Sequence, residues 1–519
     1  MMGNISRRNF LSAIGAMGAL GAAGAMGTMT GCAPKVLNAP ELPDTGTAYA
    51  AQEGEVVLSD GTVWRGTPPE IAALGGSTMP LEELNRRRKE YVDAQTEWVK
   101  EDGTVVPAAY VKMRALIHTH GFGCGEGLND AMFERMMDTF TEEQVEAYLD
   151  MPWGVEFTVN EYYHKCRKEG IERTYEECKE LCEFFSEKTY LPFRTRNEGR
   201  TYNIPGFAEG VNTYTYCDEY YADPENFVWP LLGSMGLAED HALSGTPVFM
   251  SVPLNKDVVS EESELLAYDD FDQVIRDHEY IAVQPCSCRY ETYVFECHEK
   301  GEPFPTFKDF ATGEFTDYRD NNGDCIETCL ALGDDAEYLV SLGLGRRITQ
   351  EEALEIVQRA RDAGFILHCL YGKEHAWACM CNPKVCGITA QWEAGAATLG
   401  GWEELQEQSV AFNHRSHYEL EVDLTECITC GTCAGRCPMG AITMDGMGGS
   451  PQVTDYLCQR CGQCAYVCPQ KARKLVKRPD DEIPELPHQL EDDYNLKAAW
   501  RFEHNLIGRD NARESLAHF

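Results

Sequence analysis

The sequence predicts a multi-domain α+β protein, and three observations favour this fold class. The chain has 519 residues, which indicates about three domains at roughly 150 residues per domain. Helix-capping patterns and short apolar runs typical of strands alternate along its middle. Its 23 cysteines fall mostly in the C-terminal half, in spaced groups that point to disulfides, metal ligands or nucleophiles.

Composition and charge exclude several classes of protein. Apolar residues make up 43% and charged residues 25% of the chain, which is ordinary for a globular protein. This composition excludes a collagen-like chain, a wholly disordered chain and a polytopic membrane protein. The net charge of −40 would repel nucleic-acid phosphates, so we expect no nucleic-acid partner.

The N-terminus has the pattern of a targeting segment. Arg7 and Arg8 precede a weakly apolar run, rich in Gly, Ala and Met, that extends to about Met29. This order resembles a twin-arginine export signal, a class of signal that carries folded proteins out of the cytoplasm. The resemblance implies a location on the outer face of the cytoplasmic membrane or in the periplasm-equivalent space.

The end of this segment has three readings. Met29-Thr30-Gly31-Cys32 resembles a lipoprotein processing box, in which Cys32 would be acylated and would anchor the protein in lipid. Alternatively, cleavage follows Ala50, or the segment stays uncut as an anchor. We assign residues 1–32 to the twin-arginine signal or lipoprotein anchor, and residues 33–75 to a linker rich in Pro, Gly, Ala and Thr.

Residues 76–206 are predicted to form a helical, winged-helix-like segment, in which helices precede two short strands around a turn at 197–199. Thr174, with Glu177 three residues on, forms a capping box for the last helix, which is expected to run to about Lys188. That helix carries five glutamates, and such a face would repel DNA. We therefore interpret this segment as a structural or docking module.

A double cysteine pattern within residues 418–478 is the strongest chemical signal. The run Cys-x2-Cys-x2-Cys-x3-Cys-Pro occurs twice. In such a run three thiolates surround one cubane and the fourth reaches across to the other. The spacing assigns one [4Fe–4S] cluster to Cys427, Cys430, Cys433 and Cys468, and a second to Cys437, Cys458, Cys461 and Cys464. This region resembles the bacterial two-cluster ferredoxin domain.

Residues 207–400 are predicted to be a cysteine-rich α/β segment. Nine cysteines lie between Cys286 and Cys386, a number that allows one or two further iron–sulfur clusters. We expect a third cluster on Cys286, Cys288, Cys325 and Cys329, and a fourth on Cys369, Cys379, Cys381 and Cys386, with Cys297 unused. Structural zinc or disulfides are the alternatives for these cysteines.

The remaining parts of the chain carry weaker signals. Five cysteines are expected to be buried free thiols, with a disulfide or a further ligand set as alternatives: Cys124, Cys166, Cys178, Cys182 and Cys217. Residues 479–519 are predicted to form an acidic C-terminal tail that wraps the surface.

Together these motifs resemble a family of anaerobe iron–sulfur proteins over roughly residues 130–475. In that family a winged-helix-like segment precedes a Cys-x-Cys-Arg domain, a second cysteine-rich knot and a ferredoxin module. Several clusters in one chain pass single electrons and need no substrate pocket. We therefore expect an exported electron-transfer protein of an anaerobic respiratory chain, between a membrane quinol-oxidising subunit and a terminal reductase.

The alternative is the catalytic subunit of an exported reductase that acts on an organic substrate and is fed by its own ferredoxin domain. A flavin, a cobalamin or an exposed cluster would then lie within residues 207–400. The sequence has no recognisable cofactor-binding loop and no paired acid and base residues, so the electron-transfer subunit is favoured.

Overall fold

The computed structural model describes residues 56–57, 63–64 and 79–507, except 101, 122, 124–128, 197–198, 207–249, 321, 371, 414, 447–448, 484–485, 488–489 and 506. The predicted export signal, Cys32, Cys124 and Cys217 lie outside the described residues. Within the predicted linker, Val56–Val57 and Val63–Trp64 pair as antiparallel strands. No helix in the described part of the chain is long and apolar enough to cross a membrane.

Helices and strands alternate along the described chain. The α-helices are α1 (Leu81–Asp93), α2 (Ala108–His118), α3 (Asn129–Thr139), α4 (Glu142–Leu149), α5 (Val159–Glu169), α6 (Tyr175–Glu187), α7 (Phe271–Arg276), α8 (Ser287–Lys300), α9 (Phe307–Ala311), α10 (Gly333–Ser341), α11 (Gln350–Ala363), α12 (Gly387–Leu399), α13 (Trp402–Gln408), α14 (Val410–Asn413), α15 (Thr432–Arg436), α16 (Gln463–Tyr466) and α17 (Leu490–Glu503). The strands are β1 (Val56–Val57), β2 (Val63–Trp64), β3 (Trp98–Val99), β4 (Val105–Val106), β5 (Phe193–Arg196), β6 (Gly199–Tyr202), β7 (Met250–Ser251), β8 (Ile281–Pro285), β9 (Glu327–Leu332), β10 (Arg346–Ile348), β11 (Ile366–Leu370), β12 (Trp377–Cys381), β13 (Tyr418–Val422), β14 (Ile442–Met444), β15 (Pro451–Val453) and β16 (Arg473–Lys477).

The N-terminal part has helices followed by a hairpin, in the order that the sequence predicts. α4, α5 and α6 precede the antiparallel pair β5–β6. Capping boxes begin α5 and α6: Thr158 and Thr174 each accept a hydrogen bond from a backbone N–H three residues on, and the glutamate there reaches back. The predicted capping box at Thr174 is therefore confirmed. Tyr202 of β6 pairs with Phe157, so the hairpin packs beside the start of α5.

A six-stranded sheet carries the cysteine-rich segment, in the strand order β10-β8-β9-β12-β11-β7 with antiparallel neighbours throughout. Because side chains alternate along a strand, the two faces of the sheet bury different residues. One face, with Val283 and Leu330, packs on α7 and α11. The other face, with Ala331 and Trp377, joins the core that continues into the N-terminal helices.

The C-terminal segment contains a buried helix, and the expectation of a tail that wraps the surface was wrong. Arg501 of α17 donates to the backbone oxygen of His118 at 2.8 Å, and Glu491 accepts from the buried Arg194 at 2.6 Å. α17 also packs against α1. The acidic composition of this segment predicts an exposed segment. It does not reveal that Arg194, almost 300 residues away, pairs with Glu491 and neutralises part of the charge.

Candidate metal centres

Two short loops near the C-terminus have the same backbone conformation. In the first loop Thr429 and Gly431 have φ angles of 52° and 76°, and in the second Arg460 and Gly462 have 53° and 74°. Left-handed residues at these positions curl each loop so that successive N–H groups face its concave side, an arrangement that favours anionic ligands. A short helix follows each loop, α15 in the first and α16 in the second. The two loops are therefore a structural repeat built on the repeated cysteine run.

The fourth cysteine of the first run lies beside the second loop. Cys437 interacts electrostatically with Cys458, Cys461 and Cys464. These four cysteines line one small cavity, together with Leu420, Pro438, Met439, Ile442, Gln459, Arg460, Gly462, Gln463 and Leu475. We call these four residues the inner set. Their sulfurs face one space, as ligands of a single cluster must.

The other four dicluster cysteines, Cys427, Cys430, Cys433 and Cys468, are the outer set. Cys430 is exposed, and the neighbouring Ile428 is 57% exposed. A hydrogen bond with the Thr432 hydroxyl lowers the pKa of the Cys430 thiol. In the inner set, burial raises the pKa of Cys464 to about 12, against the opposing effect of the buried Arg473. Iron binding at the inner set therefore has to displace thiol protons.

A comparison with protein-family models matches residues 419–469 to a 4Fe-4S dicluster domain. This segment is an iron–sulfur domain of the ferredoxin type. No curated protein and no solved structure matches the chain. The dicluster domain therefore establishes iron–sulfur electron-transfer chemistry for its own segment, with two [4Fe–4S] clusters as the expected content.

The dicluster domain packs on the cysteine-rich segment through the short helices α15 and α16. The Gln463 side-chain amide donates to the backbone oxygen of Phe365 at 2.6 Å. Arg436 donates to the backbone oxygen of Asp362 at 2.8 Å, and the Tyr466 hydroxyl donates to the Asp362 carboxylate at the same distance. The inner set is thus the one that faces the rest of the protein.

Six cysteines of the middle segment come together on and beside the central strands β9 and β12 of the six-stranded sheet. Their thiols interact in the order Cys286, Cys288, Cys386, Cys381, Cys379, Cys329. We call this group the six-thiol centre. Hydrogen bonds from neighbouring thiols lower the pKa of Cys286, Cys379 and Cys386, and the same bonds raise the pKa of the donors Cys288, Cys329 and Cys381.

Two helix N-termini point into the six-thiol centre. Cys286 is the N-cap of α8 and Cys386 is the N-cap of α12. The backbone N–H of Gly387 donates to the Cys288 sulfur at 3.3 Å. Helix N-termini carry partial positive charge and free N–H groups, so this arrangement stabilises thiolates and anionic groups bound to them.

The structure does not assemble the two sets of four cysteines that the spacing predicts. Cys325 lies apart, where its thiol approaches the backbone oxygens of Thr316 at 3.6 Å and Glu327 at 3.8 Å. Cys369 points to the opposite face of the sheet, into the core with α7 and α11. The physical reason is the alternation of side chains along β11, which sequence spacing between distant cysteines does not reveal. Cys297 is buried beside Tyr293, away from the six thiols.

Three residues of this site lie outside the set of ligands predicted from the sequence. Arg289, directly after the Cys-x-Cys motif, is buried and donates to the Cys325 backbone oxygen at 2.7 Å, to Thr328 and to the Met380 backbone oxygen at 2.6 Å. Gln284 and His368 are buried beside the thiols. The sequence motif Cys-x-Cys-Arg points to Arg289. Gln284 and His368 reach the site through strand register, which the sequence does not show.

Three further cysteines lie in the N-terminal core. Cys166, Cys178 and Cys182 are fully buried in the N-terminal core, and Arg173 donates to the Cys166 sulfur at 3.4 Å. Throughout the described residues, no three His, Cys, Asp or Glu side chains converge as ligands of a single metal ion.

Proposed function

We propose that this protein is an exported electron-transfer protein of an anaerobic respiratory chain, with a third iron–sulfur cluster in the six-thiol centre. The observation that supports this proposal is that Gln463, next to Cys464 of the inner set, contacts the segment that carries the six thiols. A ferredoxin-type domain placed in this way serves an internal relay as well as an external partner.

The side chains of both sites suit iron–sulfur clusters. Each set of the dicluster domain supplies four cysteines, the number that a [4Fe–4S] cluster uses. The six-thiol centre also supplies at least four, and helix N-termini next to Cys286 and Cys386 favour the negative charge of a thiolate-bound cluster. When bound, such clusters supply one-electron transfer.

A short series of contacts joins the two sites. Gln463 precedes Cys464 of the inner set and donates to the backbone of Phe365. The Phe365 ring lies under the Arg289 guanidinium, 4.3 Å from its carbon atom to the ring centroid. Arg289 follows Cys288 directly in sequence. These packed residues join the inner set to the six-thiol centre.

The outer set is the proposed contact point for redox partners, because Cys430 is exposed there. We infer that these partners are a membrane quinol-oxidising subunit on one side and a terminal reductase on the other, outside the cytoplasmic membrane. An anchor at Cys32 would keep the protein close to the first of them.

Iron content tests the number of clusters. The full chain is purified anaerobically, and iron and sulfide are measured together with electron paramagnetic resonance spectra of the reduced protein. The proposal expects about 12 iron atoms per chain, because three cubanes contain four each. A value of about eight would restrict iron to the dicluster domain and would contradict a third cluster.

Export is tested separately. Replacing Arg7 and Arg8 together with lysine keeps the charge but removes the paired arginines, so the folded precursor should accumulate in the cytoplasm. The control is a double substitution of Arg86 and Arg87 to lysine on α1, which should leave export unchanged. Equal export of both variants would point to another route.

A second candidate function is catalysis, and one cavity favours it. A cavity of about 480 Å³ opens at the far end of β9 and β12, lined by Tyr268, His278, Asp334 and His375 among others. Burial raises the pKa of Asp334 to about 6, against the opposing charges of nearby arginines. Leu332 of β9 lines the cavity and lies three residues from Cys329. Because a strand rises about 3.3 Å per residue, the cavity begins about 10 Å from that thiol. Extraction of a flavin or corrinoid from the purified protein would favour this function.

A further inference from the structure

Four polar residues form a row across the six-stranded sheet, on the face that carries the six-thiol centre. Gln284 of β8 lies opposite Cys329 of β9 in the antiparallel register. The register of β9 with β12 pairs Leu330 with Ala378, and its continuation places Cys329 opposite Cys379. Cys379 in turn lies opposite His368 of β11. Directly opposite residues point to the same face, so these four side chains are neighbours.

The two central residues of this row are in contact. The sulfurs of Cys329 and Cys379 are 3.7 Å apart. A disulfide needs about 2.05 Å between sulfurs and a Cβ separation that neighbouring strands come close to providing. This pair can therefore be joined with small side-chain rotations and without a change of strand register.

Three of the six thiols lie at helix N-termini and three lie on strands. A single cubane uses four cysteines. Cys286, Cys288 and Cys386 lie at the N-termini of α8 and α12, where Arg289, Gly387 and Thr389 supply backbone N–H groups to their sulfurs.

Cys381 lies at the end of β12 and its thiol contacts that of Cys386, so it completes a set of four. Cys329 and Cys379 remain, as a contiguous pair on neighbouring strands.

The residues that flank this pair carry unsatisfied polar atoms. Gln284 is completely buried, and its side-chain amide has no close hydrogen-bond partner apart from the Cys329 thiol that it contacts. His368 is 5% exposed, and its Nδ1 is likewise without a partner. Buried polar groups are normally paired, so the polar groups on both sides of the cysteine pair suit a polar or charged state of its sulfurs. The sulfurs of Cys329 and Cys379 would give the Gln284 amide and the His368 ring hydrogen-bond acceptors.

We propose that Cys329 and Cys379 form a dithiol–disulfide couple beside a cluster held by Cys286, Cys288, Cys381 and Cys386. Oxidation forms one sulfur–sulfur bond, releases two protons to water and delivers two electrons, one at a time, to the iron–sulfur clusters. Reduction breaks that bond and consumes two electrons and two protons. The couple lets a one-electron relay exchange electron pairs.

This inference rests on the third cluster of the proposed function, and iron content separates the two ideas. Alanine and serine variants are made at each of the six positions in the full chain, with Cys325→Ala and Cys369→Ala as matched controls from the same segment. Variants of Cys286, Cys288, Cys381 and Cys386 should lose about four of about 12 iron atoms. Variants of Cys329, Cys379 and the two controls should keep all of them. Serine variants that bind iron show that loss in an alanine variant is not a failure to fold.

The disulfide itself is detected by mass spectrometry. The anaerobic protein is oxidised with a redox dye, quenched in acid with N-ethylmaleimide and digested. We expect a linked peptide that joins residues 329 and 379, which dithionite converts into two alkylated peptides. Absence of that link, or loss of iron in the Cys329 and Cys379 variants, would overturn the couple and leave the third cluster intact. Unchanged iron in all six variants would instead refute the third cluster.

Discussion

The dicluster domain and the six-thiol centre both gather cysteines, but they do so in different ways. The eight cysteines of the dicluster domain lie between Cys427 and Cys468, on two loops with matching φ angles. The six thiols come from Cys286 to Cys386, on two strands and at the starts of two helices. The first arrangement depends on local backbone conformation, whereas the second depends on the register of a sheet.

This difference determines how each site should respond to change. Within each loop the first three ligands are three positions apart, so local backbone conformation sets their spacing. A centre built across β8, β9 and β12 depends on every element that fixes the sheet. We therefore expect substitutions in the dicluster domain to remove one cluster at a time. We expect the six-thiol centre to lose its cluster when the residues that support the sheet are replaced.

The largest effect is expected from Cys437→Ala. Cys437 belongs to the first run but lies with the inner set, so the variant should lose about four iron atoms from the second cluster and leave the first closer to native. Iron content and electron paramagnetic resonance of the reduced protein measure this. Cys468→Ala is the matched control and should damage the outer cluster. Damage to the outer cluster by Cys437→Ala would refute the crossed assignment.

Arg289→Gln is expected to have the next largest effect, and only on the six-thiol centre. The side chain donates to Cys325, Thr328 and Met380, and its loss leaves buried acceptors without donors, which costs about 2–4 kcal/mol. The measurement is the urea midpoint of the anaerobic protein, with iron content beside it.

The control for this prediction is Arg347→Gln. Arg347 is exposed, and its guanidinium carbon lies 4.2 Å from the centroid of the Tyr280 ring. This cation–π interaction contributes about 0.5–1 kcal/mol. Equal shifts of the urea midpoint in the two variants would contradict the proposed support role of Arg289.

Gly462→Ala and Gly431→Ala test whether the two loops of the repeat pack differently on their surroundings. Both glycines have a positive φ, 74° and 76°, so both variants carry a similar backbone strain of about 1–2 kcal/mol. A Cβ on Gly462 would lie 2.7 Å from Val258, whereas on Gly431 the nearest atom would be 3.9 Å away. Gly462→Ala should therefore cost about 1–3 kcal/mol more in the free energy of unfolding. Equal costs would show that the inner loop does not pack tightly on the body.

The smallest effect concerns the rate of iron loss. A chelator should remove iron from the outer cluster before the inner one, because Cys430 is exposed while Cys464 is buried. Time-resolved loss of the two electron paramagnetic resonance signals measures the order. The Thr432→Val variant, which removes the hydrogen bond at Cys430, should hasten outer loss alone. Simultaneous loss from both clusters would contradict this asymmetry.

The dicluster domain can be predicted from local sequence patterns. The twice-repeated spacing of Cys427 to Cys437 and Cys458 to Cys468 fixes which thiols share a loop, since ligands two residues apart can only be neighbours. The capping box at Thr174 was likewise readable, because its hydrogen bonds span only three residues.

Tertiary structure alone decided the six-thiol centre and the C-terminal helix. Strand register places Cys329 beside Cys379 and turns Cys369 to the other face, and a shift of one residue would reverse this. At the acidic start of α17 the buried Glu491 pairs with Arg194, which lies almost 300 residues earlier in the chain. Local patterns carry no information about such pairings, because only the closing of the whole fold brings these residues within contact distance.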